Sequence, residues 1–227
     1  MGHFAALEGL TDAQFNKYIA DIKLPSNVFL FKAGEFFLYI DTVGTKTITP
    51  ASTLEVPEGV DTLLIPISYD HSPKMKNLRR IEDHFALLIM KMNKEDGHWE
   101  ATYVDGKMLE GQRICKDPRY RRVRTNLMPK LRRKFGQSIP MTTFRFKTEM
   151  RVPNGCSLPV LNAVERIGKG KSLSTPTFKE EYKLLQKIMR FFEKKGEKVG
   201  YSMDEWNKIQ SANEKNVEED KENRVPV

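Results

Sequence analysis

Only two cysteines, Cys115 and Cys156, occur in a chain of 227 residues. So few cannot make a disulfide scaffold, and a reducing, intracellular setting is the natural expectation. No apolar run approaches eighteen residues, so no membrane-spanning helix is predicted. The opening Met1-Gly2-His3-Phe4-Ala5 lacks a basic region followed by a long apolar one, so no secretory signal is expected. Ala6 stands where a myristoylation motif requires Ser or Thr. No Cys/His cluster has zinc spacing, no glycine-rich phosphate loop appears, and no serine sits in a nucleophile elbow. Neither a metal nor a cofactor is therefore expected. Histidine is scarce as well: His3, His71, His84 and His98 are all there are.

Apolar residues make up 39% of the chain and charged residues 30%, which suits a soluble globular domain with a charged surface. The length allows one domain with a real core. Residues 1–200 read as that domain and 201–227 as a polar C-terminal tail, with 211–227 too poor in apolar residues to fold alone. The net charge is +8. Much of the excess lies in Lys116, Arg119, Arg121, Arg122, Arg124, Lys130, Arg132, Arg133 and Lys134. Two readings compete for this stretch. One is a solvated face. The other is a contact for an acidic protein surface, with Arg121, Arg122, Arg132 and Arg133 as the candidate residues. Nucleic acid is less well served, because only Tyr120 and Phe135 offer aromatic faces nearby.

Capping boxes announce helices at two places. Thr11 is a good N-cap with Gln14 three residues on, a capping box, and Leu10 and Phe15 can staple across it. Phe15, Tyr18, Ile19 and Ile22 give the apolar stripe, and Pro25 ends the segment. Thr177 with Glu180 makes a second capping box. Phe178, Tyr182, Leu185, Ile188, Met189 and Phe192 form its stripe, and Gly196 ends it. Residues 28–31 and 36–40 are apolar and aromatic, and periodicity does not choose between strand and packed loop with helix. Residues 63–67 read as a strand that Pro66 marks as an edge or a strand end. Residues 69–83 are polar and basic and read as an exposed insertion. The run 85–90 is a strand buried on both faces. A turn at 93–97 joins it to a strand at 99–105, which predicts an antiparallel hairpin. Residues 143–148 alternate apolar with charged, as a half-buried strand does.

The stretch around Cys156 carries the chemistry. Pro153-Asn154-Gly155 is a turn signal that delivers the chain to Cys156. Leu158, Leu161, Val164 and Ile167 then repeat at helical spacing, with Gly168 as a stop. Pro159 is tolerated because it falls in the first turn. Cys156 is thus placed at or just before a helix N-terminus, where free N–H groups and the helix dipole favour negative charge on the thiol and can stabilise an oxyanion. A nucleophilic cysteine needs a base, and the base needs a group to orient it. His84 opens the buried strand and Asp105 closes the next one. In a hairpin those two ends lie side by side, so His84 and Asp105 meet at one edge of the sheet. His98 ranks second, because it shares a strand with Asp105 and points elsewhere. His71 ranks third, because Ser72-Pro73-Lys74 rather than a strand follows it.

The order His84, Asp105, Cys156 resembles that of the ubiquitin-like protease family, the papain-related cysteine proteases that process and deconjugate SUMO and NEDD8. The adenovirus-type endopeptidases share the arrangement. His84-Phe85-Ala86-Leu87 is similar to the family's His-Trp-x-Leu, and Tyr103-Val104-Asp105-Gly106 to its Tyr-x-Asp strand end. Val152-Pro153-Asn154-Gly155-Cys156 resembles the turn before its nucleophile. Residues 10–19, 29–37 and 63–67 are similar to its opening helix, its aromatic segment and the strand before its histidine. The chain departs from the pattern at the oxyanion Gln, where Val152 stands, and at Asp-Cys-Gly, which is here Gly155-Cys156-Ser157.

The resemblance implies an α+β fold of papain-related type: a mixed or antiparallel central sheet flanked by helices, with the nucleophile at a helix N-terminus. It implies a cysteine peptidase acting at the C-terminal glycine of a ubiquitin-like modifier: SUMO, NEDD8 or ubiquitin. Cys156 would be the nucleophile, His84 the base and Asp105 its orienter. Asn154 would be an oxyanion donor, and Phe85 and Trp99 would cover a substrate groove. An intracellular location, cytoplasmic or nuclear, goes with that, or a host cell interior for an effector or viral protein. The alternatives are a weakly active or inactive relative that binds a modifier or another protein and, behind it, an acyltransferase of related fold.

Overall fold

The computed structural model describes residues 9–39, 54–70, 84–114, 117–147 and 155–199. Pro153 and Asn154 of the turn signal, the histidines His3 and His71, positions 71–83 of the expected insertion, Cys115 and the tail 201–227 lie outside the described residues.

Helix α1 (Asp12–Ile19) starts where its capping box predicts: Thr11 Oγ1 accepts from the Gln14 N–H, and the Gln14 side chain accepts from the Thr11 N–H. It ends at Ile19, so Ile22 packs from the loop beyond it. Strands β1 (Val28–Leu30) and β2 (Phe36–Tyr39) settle the ambiguity left by periodicity, and both run parallel to β3 (Thr62–Asp70). On its other side β3 pairs antiparallel with β4 (His84–Met92), and β4 pairs antiparallel with β5 (Trp99–Leu109). Strand β6 (Met141–Phe146) closes the sheet parallel to β5. The sheet is six-stranded and mixed, in the order β1-β3-β4-β5-β6, with β2 following β1 along the same side of β3.

Pro66 does not mark an edge or an end. It sits mid-strand, in the gap where β1 has stopped opposite Leu64 and β2 has yet to begin opposite Ile67. A residue without an N–H is tolerated where one side of the ladder is interrupted. Tyr69 likewise does not belong to an exposed insertion. It is the penultimate residue of β3 and is 1% exposed. Strand β6 begins two residues earlier than the alternation suggests, and its residues are mostly half-buried rather than cleanly alternating, as befits a strand paired along only one side.

Successive residues of β4 point to opposite faces of the sheet. Phe85, Leu87 and Ile89 join one core with α1, with α4 (Ser157–Gly168) and with α5 (Phe178–Glu193). Ala86, Leu88 and Met90 join the other with residues of α2 (Pro118–Arg122), a π-helical turn (Val123–Leu127) and α3 (Met128–Phe135). The fold is therefore α+β, with helices on both faces of the sheet. The basic stretch forms the second helical layer. Val123, Leu127, Met128 and Leu131 anchor it, and all are fully buried. Helix α5 keeps its capping box; Leu185, Ile188 and Phe192 of its expected stripe are buried with Leu184 added, while Phe178, Tyr182 and Met189 pack half-buried beside them. Gly168 is the last residue of α4 rather than a stop; a Cβ there would come within 3.0 Å of the Lys23 carbonyl oxygen.

Candidate active site

The site lies where two strands part. Pairing between β4 and β5 stops at Leu87 opposite Val104, whereas β3 and β4 stay together as far as Tyr69 opposite His84. On the other side of β5, the register with β6 slips between Val104 and Leu109. Asp105 is the first residue of that irregular stretch, not the end of its strand. Bulges of this kind re-aim a side chain. Here the result is that His84 Nε2 lies 2.8 Å from Asp105 Oδ1, with both side chains almost wholly buried.

The carboxylate is saturated. Oδ1 also accepts from the Lys107 N–H at 2.9 Å, and Oδ2 accepts from the Tyr103 hydroxyl at 2.9 Å. The Arg119 guanidinium approaches from the second helical layer, with Nε 3.6 Å from Oδ2. The Tyr69 hydroxyl sits 3.0 Å from that of Tyr103 and reaches the Arg119 carbonyl at 3.3 Å. Tyr103 spends its one proton on Asp105, so the single Tyr69 proton is shared between the Tyr103 hydroxyl and the Arg119 carbonyl.

Cys156 arrives from the opposite helical layer. It is the N-cap of α4, it is half-buried, and its side chain does not cap the helix. The thiol is instead a hydrogen-bond partner of the His84 ring. With Nε2 taken by Asp105, Nδ1 is the nitrogen left for it. A close approach makes this possible. Gly106, the residue after Asp105, has no Cβ, and one built there would sit 2.5 Å from Cγ of Pro159 in the first turn of α4. The helix can therefore press its N-terminal end against β5 beside the carboxylate.

The electrostatics follow from burial and charge together. Burial disfavours the charged form of His84, but the Asp105 carboxylate, with a smaller contribution from the Cys156 side chain, outweighs it, and the imidazole pKa is held up at about 9. Burial likewise favours the protonated acid at Asp105, but the His84 and Arg119 charges outweigh it and hold the carboxyl down at about 2. Tyr69 and Tyr103 are pushed up, first by burial, so both stay as neutral donors. The arrangement can hold a thiol, a ring able to take its proton, and a fixed anion behind the ring.

The structure thus brings His84, Asp105 and Cys156 together. It does not bring Trp99 to them. Trp99 begins β5, six residues and about 20 Å of strand from Asp105. Its ring packs on Phe135 at 5.1 Å, 5% exposed. Phe85 adjoins His84 in sequence but alternation turns it to the other face, where it stacks on Phe15 at 5.2 Å and is 6% exposed. Trp99 is thus remote from the site, whereas Phe85 lies on the face from which Cys156 arrives, in the same core. His98 lies at the far end of β5 with Gln137, its Nδ1 3.2 Å from Oε1.

Among the basic residues, Arg121 and Arg133 are exposed and Arg122 is half-buried. Arg132 is engaged in its own chain, donating from Nε and Nη2 to the Ile139 carbonyl at 3.3 and 3.0 Å. Arg119, counted in sequence as one more surface charge, is turned inward. The residues that sequence reasoning missed are Tyr69, Tyr103, Arg119 and the Gly106–Pro159 contact. Tyr103 had a signal, since residues two apart on a strand share a face. Arg119 had none.

No family model matches the sequence, and no curated protein does. Solved structures do. One is the SUMO protease Ulp1 with its catalytic cysteine oxidised to a sulfinic acid, at 16% identity and a TM-score of 0.49, covering 81% of this chain and 77% of that one. By fold, this chain is similar to Ulp1. A second is the C-terminal Ulp1 protease domain in complex with Smt3, the yeast ortholog of SUMO, at 14% identity, a TM-score of 0.47, and coverage of 81% and 76%. A third is the Legionella pneumophila effector protein RavZ, at 12% identity and a TM-score of 0.47. There the match takes in 82% of this chain but only 65% of that one, just under two thirds.

Proposed function

We propose that this chain is a cysteine peptidase that cleaves the peptide or isopeptide bond after the C-terminal glycine of a ubiquitin-like modifier. The observation that carries the reading is the placing of His84 between Asp105 Oδ1 at 2.8 Å and the Cys156 side chain at the N-cap of α4. The motifs around those three residues, which resemble the ubiquitin-like protease family, supply the substrate class.

In this reading His84 Nδ1 takes the thiol proton, and the Cys156 sulfur adds to the glycine carbonyl. The carbonyl oxygen becomes an oxyanion at the open end of α4, where the Cys156 backbone N–H donates to it. Asn154 is a further donor proposed from sequence. His84 returns the proton to the leaving amine, the C–N bond breaks, and a thioester remains. Water, deprotonated by His84, releases the acid and restores the thiol. Asp105 keeps Nε2 protonated throughout, so the acceptor is always Nδ1. Such a thiol needs a reducing compartment, and the cytoplasm or nucleus is the proposed setting, within residues 1–200 as the catalytic domain.

The test is incubation with ubiquitin, SUMO and NEDD8 carrying a C-terminal electrophile. A covalent adduct is expected with one of them, lost in Cys156→Ala and kept in Cys115→Ala. An adduct that survives Cys156→Ala refutes the assignment of the nucleophile. Absence of any adduct from a folded protein favours a binding relative.

A further inference from the structure

The carboxylate behind His84 faces two cations. His84 lies on Oδ1, and Arg119, its guanidinium always charged, lies on the Oδ2 side with a side chain only 14% exposed. Arg119 is aimed there by its own helix. Asp117, the N-cap of α2, accepts from the Arg119 and Tyr120 N–H groups at 2.8 and 3.1 Å, and its Oδ2 takes Arg119 Nη2 at 2.8 Å. The guanidinium is thus shared between a partly exposed carboxylate, Asp117, and a buried one, Asp105.

We propose that Arg119 is a positioning residue that draws on the charge of Asp105 from behind, and that Asp117 sets how much of the guanidinium's charge reaches the pair. This rests on the reading of His84 as base and Asp105 as its orienter. A buried carboxylate facing a single imidazolium holds the proton firmly on the ring, and a base must also give that proton up. A fixed cation on the far side of the carboxylate opposes the positive charge on His84 and loosens that hold. Among the described residues, the other groups facing the pair are few. Tyr69 comes from β3 and Tyr103 from β5, both neutral donors, and Lys107 contributes its backbone N–H. From α4 comes the Cys156 thiol. Arg119 and Asp117 are the charged groups that α2 adds.

Two substitutions pull in opposite directions. Arg119→Met removes the opposing cation, so His84 should hold its proton to higher pH. Asp117→Asn removes the charge that competes for Arg119, so His84 should lose its proton at lower pH; Asn caps a helix about as well as Asp, so α2 keeps its start. At effective dielectric constants near 20, a unit charge at this range moves a titration by on the order of one pH unit. The experiment follows the His84 imidazole by NMR in the full chain labelled at histidine, with His84→Gln to assign the signal. The expected result is an upward shift in Arg119→Met, a downward shift in Asp117→Asn, and near-parent titration in Arg119→Lys. Shifts of the same sign in Arg119→Met and Asp117→Asn, or no shift in either, overturn the proposal. Should Arg119→Met not fold, Asp117→Asn against Arg119→Lys still decides it. The titration needs no substrate, so a chain that forms no modifier adduct yet titrates as described loses the proposed function and keeps this inference.

Discussion

Gly106→Ala tests the contact that seats Cys156. A Cβ at Gly106 would lie 2.5 Å from Pro159 Cγ and 3.3 Å from Cβ of the same ring. Carbon atoms prefer at least about 3.5 Å, so the first turn of α4 must retreat by about 1 Å. The proline ring cannot swing aside, because it is closed on the helix backbone. Helix α4 is held on its buried side by Leu158, Leu161 and Val164, all 0% exposed, so the strain falls on the docking of its N-terminal end. Overpacking of this kind costs about 1–3 kcal/mol. The larger effect is on chemistry. A displacement of about 1 Å between nucleophile and base lowers the rate roughly a hundredfold. The assay is the second-order rate of adduct formation with the reactive modifier probe, alongside urea unfolding. Pro159→Ala removes the atom that clashes, so the double variant should regain much of the lost rate, a coupling that independent sites do not show. Wild-type rate and stability in Gly106→Ala would refute the argument, as would a double variant no faster than the single one.

Two further outcomes follow from the site and its surroundings. The folded-state pKa of His84 lies above its ordinary 6.5, at about 9, so the stability it contributes is complete below about pH 6.5 and is lost as pH rises through 9; Asp105, held down at about 2, contributes above about pH 4 and loses it as pH falls through 2. Stability should therefore be flat between about pH 4 and 6.5 and decline by on the order of 3 kcal/mol toward pH 9, and Asp105→Asn should leave only the smaller part of the alkaline decline that the Cys156 side chain supports; an unchanged decline in urea titrations refutes the pairing. Reversing the exposed Arg121 and Arg133 should slow association with an acidic modifier at low salt and flatten its salt dependence, without touching thiol alkylation, because steering by exposed charge is screened over about 8 Å at physiological ionic strength. Unaltered association at low salt would mean the stretch is only a solvated face.

What could be read from sequence alone was whatever is decided within a few residues. The capping boxes at Thr11 and Thr177 specify where α1 and α5 begin, because a cap is satisfied inside one turn. The run from Phe85 to Met90 had to be a strand covered on both faces, since every residue in it is apolar. The turn before Cys156 and the stripe after it placed the thiol at a helix start, and the hairpin placed His84 near Asp105. Tertiary structure decided the rest. Trp99 has the right chemistry for a groove, but strand length removes it from the site, and alternation packs Phe85 on Phe15 on the face from which Cys156 arrives. Pro66 is interior because two separate strands share one side of β3. Arg119 carries the same charge as Arg121 and Arg133, and its neighbours in sequence mark it as one more solvated residue. Which of them faces the carboxylate depends on how α2 docks on the sheet and on the Asp117 cap that aims the side chain. Burial of a charge is set by partners far along the chain, here Asp105, and a local pattern carries no trace of them.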